Sequence, residues 1–128
     1  MEFVIPTMWR NPSFTLDALE SYLSIEEITK IILIDNDFKR RPNSEILNSK
    51  KIKILNYGRN IYVNEAWNRG MENASDDLVF LFFGHDEKGG GFYSPTVIRL
   101  SLNRSGLNAE WCEHLTISNS QPKLISSL

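Results

Sequence analysis

The sequence predicts a three-layer α/β fold, with a mostly parallel sheet covered by helices on both faces. Short apolar runs alternate with amphipathic stretches, and the runs are rich in β-branched residues. Two of them stop abruptly in polar turns, Asp35-Asn36-Asp37 and Gly84-His85-Asp86-Glu87. Strands that alternate with helices across short loops form right-handed crossover units, and such units build parallel sheets. A run that is apolar throughout is what a strand buried on both faces requires.

Phe3-Val4-Ile5 is the first strand, stopped by Pro6. Asn11-Pro12-Ser13 offers helix-starting chemistry, with Ser13 as the cap. Leu16, Leu19 and Leu23 recur at helical spacing, which predicts a helix from about Phe14 to Leu23. Ile28 and the run Ile31 to Ile34 give strand two. Phe38 to Lys50 holds only a brief helical pattern around Glu45-Ile46-Leu47, and Ile52 to Leu55 reads as strand three. Turn signals at Asn56, Gly58 and Asn60 precede a second helix, defined by the apolar stripe Val63, Ala66, Trp67, Gly70 and Met71. Leu78 to Phe83, the most hydrophobic run, is strand four. Gly89 to Gly91 breaks the pattern, and Ser94-Pro95 reads as the start of a helix over Val97 to Leu102 that ends near Gly106. Glu110 to Ile117 reads as a further strand or an irregular arm. Ser118 to Leu128 reads as a polar tail, mobile or pinned by a partner.

Composition narrows the function classes. A chain of 128 residues, 41% hydrophobic, fits one domain with a real core. Its recognisable part is residues 1–87, followed by a divergent segment, residues 88–128. With a formal charge of −2, no global field argues for nucleic acid or a membrane surface, and no nucleic-acid partner is expected. The basic cluster Lys39, Arg40, Arg41, Lys50, Lys51 and Lys53 lacks interleaved aromatics apart from Phe38 and reads as a solvated face. Cys112 is the single cysteine, so no internal disulfide forms and a reducing compartment fits. No signal-peptide pattern opens the chain, and no apolar run approaches the roughly 20 residues that span a bilayer. The expected location is cytoplasmic. Gly89 to Gly91 lacks the following Lys-Ser or Lys-Thr of a phosphate loop. Trp67, on the apolar stripe, reads as core rather than as a stacking platform.

Three segments carry a likeness: Val4-Ile5-Pro6-Thr7, Ile31-Ile32-Leu33-Ile34-Asp35-Asn36, and Ala66-Trp67-Asn68-Arg69-Gly70-Met71. In this order and spacing, with strand four after them, they resemble the amino-terminal half of a GT-A-type glycosyltransferase. The likeness is to the family-2 group of inverting nucleotide-sugar enzymes, and it spans about residues 2–87. The resemblance implies a Rossmann-like, nucleotide-diphospho-sugar transferase fold. Strand one would lie centrally, strands two and three on one side and strand four on the other. Ligands in such sheets bind beyond the carboxyl ends of the strands, where the strand order reverses.

The resemblance also implies roles. Pro6 and Thr7 would contact the base or ribose of a nucleoside diphosphate sugar. Asp35, with Asn36 or Asp37, would accept the base's imide N–H, since an ionised carboxylate is an obligate acceptor. The same trio is also ordinary turn chemistry after a strand. Arg10 and Arg59 lie on loops within reach of a diphosphate, and Asn60 joins the nucleotide-binding set. His85, Asp86 and Glu87 would hold a divalent cation, Mn or Mg, as a Lewis acid on the leaving group, with His85 and Asp86 at the catalytic centre. The sequence departs from the family where the strand should end in Asp-x-Asp and instead reads Phe83-Gly84-His85-Asp86-Glu87. Residues 88–128 are also shorter than the family's acceptor half, which implies a minimal or truncated member. Glu113-His114 could supply a base there, though a structural pair is the simpler reading.

Two functions follow. One is transfer of a sugar from a nucleoside diphosphate donor to a hydroxyl acceptor, with inversion. The other is a non-catalytic nucleotide-binding or assembly module that has lost Asp-x-Asp. Its carboxyl-terminal segment would pack against another chain, including a second copy of this one.

Overall fold

The computed structural model describes residues 1–76 and 78–82 in full, and the backbone of residues 97–103, 106–112 and 123–124. The elements are β1 (Glu2–Thr7), α1 (Pro12–Leu23), β2 (Lys30–Asp35), β3 (Ile52–Leu55), α2 (Tyr62–Asn73), β4 (Leu78–Phe82), β5 (Val97–Asn103), β6 (Gly106–Cys112) and β7 (Lys123–Leu124). They form one sheet in the order β3-β2-β1-β4-β5-β6-β7. The strands β1 to β4 are parallel, with Thr7 opposite Asp35 and Val4 opposite Leu81. This is the strand arrangement the sequence predicts, with β1 inside and the chain direction of build-up reversing between β1 and β4.

Side chains of a strand alternate between faces, so the parallel sheet sorts its apolar residues into two cores. Phe3, Ile5, Ile31, Leu33 and Phe80 pack with Leu19 of α1. Val4, Ile32, Ile34, Val79 and Leu81 pack with Ala66 and Trp67 of α2. One helix therefore covers each face, and the protein is a three-layer α/β fold of Rossmann-like class. On the first face the Phe3 ring meets Tyr22 and Phe80 edge-on, with centroids 5.1 and 5.7 Å apart. On the second, α2 approaches β1 closely: a Cβ added to Gly70 would lie 2.2 Å from Val4 Cγ1. Only glycine fits at that crossing.

Several boundaries differ from the sequence expectation. The first helix starts at Pro12, and its cap is Asn11 rather than Ser13; the Asn11 side chain accepts from the Phe14 N–H at 3.3 Å. Proline at the first helical position has its φ already set and lacks a donor that the helix would leave unpaired, so the helix begins two residues early. β1 runs through Pro6 to Thr7, and the described ladder to β4 ends at Val4. Pro6 pairs with Ile34 of β2 but lies past the described pairing with β4, where a missing N–H is tolerated.

The helix expected over Val97 to Leu102 is instead β5, antiparallel to β4 and to β6. The sequence there alternates Ile98, Leu100 and Leu102 with Arg99, Ser101 and Asn103, a period of two that outweighs the helix-start signal of Ser94-Pro95. The strand expected over Glu110 to Ile117 begins earlier, at Gly106. Within the supposed polar tail, Lys123–Leu124 pairs with β6. Among the described residues no helix is long and apolar enough to cross a membrane.

Candidate functional site

The carboxyl ends of β1 and β2 lie side by side, because Thr7 and Asp35 are register partners. Both side chains are buried. Thr7 Oγ1 accepts from the Trp9 N–H at 3.0 Å, which folds the chain back immediately after the strand. Trp9 takes a left-handed backbone conformation, φ 57°, and is 1% exposed. A bulky residue in that region costs about 1–3 kcal/mol and persists only where its surroundings hold it. Here the holder is Asp35. The indole Nε1 donates to Asp35 Oδ1 at 3.0 Å, the Asp37 N–H donates to the same oxygen at 3.0 Å, and Arg41 Nε donates to Oδ2 at 2.6 Å.

The Asp35 side chain has no exposure, while that of Arg41 is about one-third exposed. A buried carboxylate needs both a counter-charge and hydrogen bonds, and this one has both. Arg41, placed by sequence in a solvated basic face, is thus the counter-ion of the strand tip. Arg40 beside it follows the sequence expectation: it is exposed, 3.4 Å from Asp37 in a surface pair.

Asn36 follows as an anchor. Its N–H donates to the Thr7 carbonyl at 2.9 Å, and its Oδ1 accepts from the Ile61 N–H at 3.1 Å. One residue, through its backbone and its side chain, thereby ties the β1 and β2 tips to the start of α2. Asn60 turns the loop beneath it, with Oδ1 accepting from the Tyr62 N–H at 2.8 Å. Tyr62 is the second left-handed residue, φ 61°, and is largely exposed. Asn56 Oδ1 accepts from the Gly58 N–H at 2.6 Å, closing the turn after β3 that needs glycine at φ 76°.

Between these loops lies an open cleft of about 220 Å³. It is lined by Asp35, Asn36, Asp37, Phe38 and Lys39 from the segment that ends β2 and by Asn56, Gly58, Arg59 and Asn60 from the loop after β3. Phe38 is half exposed, an unusual place for a large apolar ring. Arg59 is held by Glu65 at 3.2 Å. The volume falls below the roughly 300–1,000 Å³ of sites for whole drug-sized ligands, and suits one ring system rather than an entire nucleotide sugar.

The structure therefore brings together Pro6, Thr7, Asp35, Asn36, Asp37 and Asn60 of the predicted set. Arg10 is exposed on the loop beyond Trp9, its Nη2 3.6 Å from Met8 Sδ. His85, Asp86 and Glu87 lie outside the described residues, as do Glu113 and His114. Among the described residues no three or more His, Cys, Asp or Glu side chains gather as metal ligands. Trp67 is buried, as its stripe position predicts, and its indole donates to the Phe82 carbonyl at 2.8 Å, tying α2 to the β4 tip. Trp9 and Arg41 were not singled out by sequence. The available signal was a tryptophan two residues past a strand end, since a buried indole N–H needs an acceptor.

The fold and cleft define an α/β protein with a polar crevice beyond the carboxyl ends of β2 and β3 in a parallel sheet. A scan against protein-family models gives no match, and a search of curated proteins gives no significant match either.

Proposed function

We propose that this chain binds a nucleoside diphosphate sugar at the carboxyl ends of β1 to β3 and transfers the sugar to a hydroxyl acceptor, as a glycosyltransferase of GT-A type. The observation that carries the proposal is the cleft that Asp35, Asn36 and Asp37 line beyond the carboxyl end of β2, whose tip pairs with that of β1 through Thr7 and Asp35, one strand from the β1–β4 reversal of strand order. The nucleoside occupies the cleft over Asp35, Asn36 and Asp37, and Arg10 faces the diphosphate. A bound divalent cation would neutralise the departing diphosphate. Its implied ligands His85, Asp86 and Glu87 are not among the described residues.

The experiment is a thermal-shift screen of the 128-residue chain with UDP, GDP, CDP and TDP, each with and without Mn. A ligand at a hundredfold excess over its Kd stabilises the folded state by about 2.7 kcal/mol. For a domain of this size that is a rise of several degrees. One nucleotide should give such a rise, and release of free nucleoside diphosphate from the matching sugar donor should follow. No response to any nucleotide overturns the proposal.

The missing Asp-x-Asp favours a second reading, a non-catalytic nucleotide-binding or assembly module on the same fold. In that case a nucleotide binds without donor turnover, and the carboxyl-terminal segment packs against another chain.

A further inference from the structure

Asp35 and Asn36 are neighbours in sequence but differ in what they leave for a ligand. The Asp35 carboxylate is fully enclosed, and its oxygens already accept from Trp9, Asp37 and Arg41. A further N–H from a ligand would have to reach a group with no exposed surface. Asn36 is 8% exposed, and its amide orientation is fixed because Oδ1 accepts from Ile61. Its Nδ2 therefore sits on the opposite branch. That nitrogen makes no hydrogen bond to the described residues and is not fully enclosed, and Asn36 lines the cleft. A donor fixed in orientation at the edge of a cleft, with no protein acceptor, is placed to pair with an acceptor on a ligand.

Asp37 adds the complementary group. Its carboxylate is partly exposed, lines the same cleft, and meets only Arg40 at 3.4 Å among the described residues. A donor beside an acceptor matches a ring carbonyl next to a ring N–H. Uracil, thymine and guanine present that lactam edge. Cytosine and adenine present an exocyclic amine beside a bare ring nitrogen instead.

Building on the nucleotide-binding proposal, we infer that Asn36 reads the base: Nδ2 donates to a ring carbonyl, and the Asp37 carboxylate accepts the neighbouring ring N–H. Asp35 is then a positioning residue that holds Trp9, Arg41 and the Asp37 backbone. This reverses the division of labour that the family likeness implies for the three residues.

The test is the ratio of affinities for UDP or GDP over CDP and ADP, measured by titration calorimetry on the full chain. The unmodified chain should prefer a lactam base by about tenfold or more, since a site built to pair a polar edge rejects a base that leaves it unpaired. Asn36→Asp keeps the acceptor for Ile61 but removes the donor, and should abolish or invert that preference. Asp37→Asn, at a more exposed position, should weaken the preference and serves if Asn36→Asp fails to fold. Asp35→Asn should weaken all nucleotides in parallel and leave the ratio unchanged. If both cleft variants keep the preference while Asp35→Asn loses it, Asp35 reads the base and this inference fails alone. If the unmodified chain binds no nucleotide, the nucleotide-binding proposal and this inference fall together.

Discussion

At the amino-terminal end of β1, Glu2 is 1% exposed; at the carboxyl end of β2, Asp35 is 1% exposed too. Glu2 Oε2 accepts from the Ser75 N–H at 2.9 Å, the Ser75 hydroxyl at 3.2 Å and the Asp76 N–H, and Lys30 Nζ lies 3.5 Å from its other oxygen. Lys30 in turn donates to the Asn73 carbonyl at 2.8 Å. Those partners sit on β2 and on the α2–β4 connection, so Glu2 closes the bottom of the sheet. Asp35 is surrounded as thoroughly, yet its partners Trp9, Asp37 and Arg41 belong to the loops that border a cleft. Burying a carboxylate tells little about function by itself. What distinguishes the carboxyl end is the cleft that Asn36 and Asp37 line, since the buried side-chain atom without a hydrogen-bond partner among the described residues, Glu2 Oε1, lies at the other end.

The sharpest way to break the comparison is to remove each carboxylate. Deleting one partner of a buried charged network strands the others and costs about 3–5 kcal/mol. Glu2→Ala and Asp35→Ala should each lose about that much in denaturant unfolding. Only Asp35→Ala should also abolish nucleotide-induced stabilisation, whereas the folded fraction of Glu2→Ala should bind as before. Equal loss of binding in both variants would contradict the functional asymmetry of the two ends.

Next in size is Trp67→Phe, which removes the donor to the Phe82 carbonyl at the β4 tip. Removing one partner of a buried hydrogen bond costs about 1–3 kcal/mol. The variant should unfold at lower denaturant. Gly70→Ala probes the middle of the sheet, away from both ends. Helix propensity alone would favour alanine by about 1 kcal/mol. The close approach to the buried Val4 side chain should outweigh that gain, giving a net loss of about 1–3 kcal/mol by overpacking with nucleotide binding unaffected in the folded protein. The smallest expected effect is Asn11→Ala, which deletes the α1 cap and should cost about 1 kcal/mol in the same unfolding assay.

Much of the parallel half was legible in sequence because its signals are periodic. Ile31 to Ile34 had to be a doubly buried strand, Ile52 to Leu55 matched β3 in full, and Ala66, Trp67 and Gly70 marked the buried stripe of α2. The strand order that the family resemblance implies holds for β1 to β4. The antiparallel strands were read less well. A Ser-Pro helix start and the alternation from Ile98 to Asn103 competed, and the alternation prevailed once β4 offered an edge to pair with. In the site, Thr7, Asp35 and Asn36 were visible as strand-end residues. The partners of Asp35 were not, because Trp9 and Arg41 reach it through loop geometry, which follows no period. Nor does the identity of a strand-end acid say whether its oxygens are already taken.

Amide NMR spectra of the labelled chain, titrated with UDP and GDP, test the central claim most directly. Binding at the carboxyl end predicts shifts that cluster at Thr7, Trp9, Asn36, Asp37, Gly58 and Asn60, with the Trp9 indole resonance moving and Ser75 and Asp76 unchanged. A spectrum left unmoved by either nucleotide, or shifts gathered around Ser75 and Lys30, would contradict it.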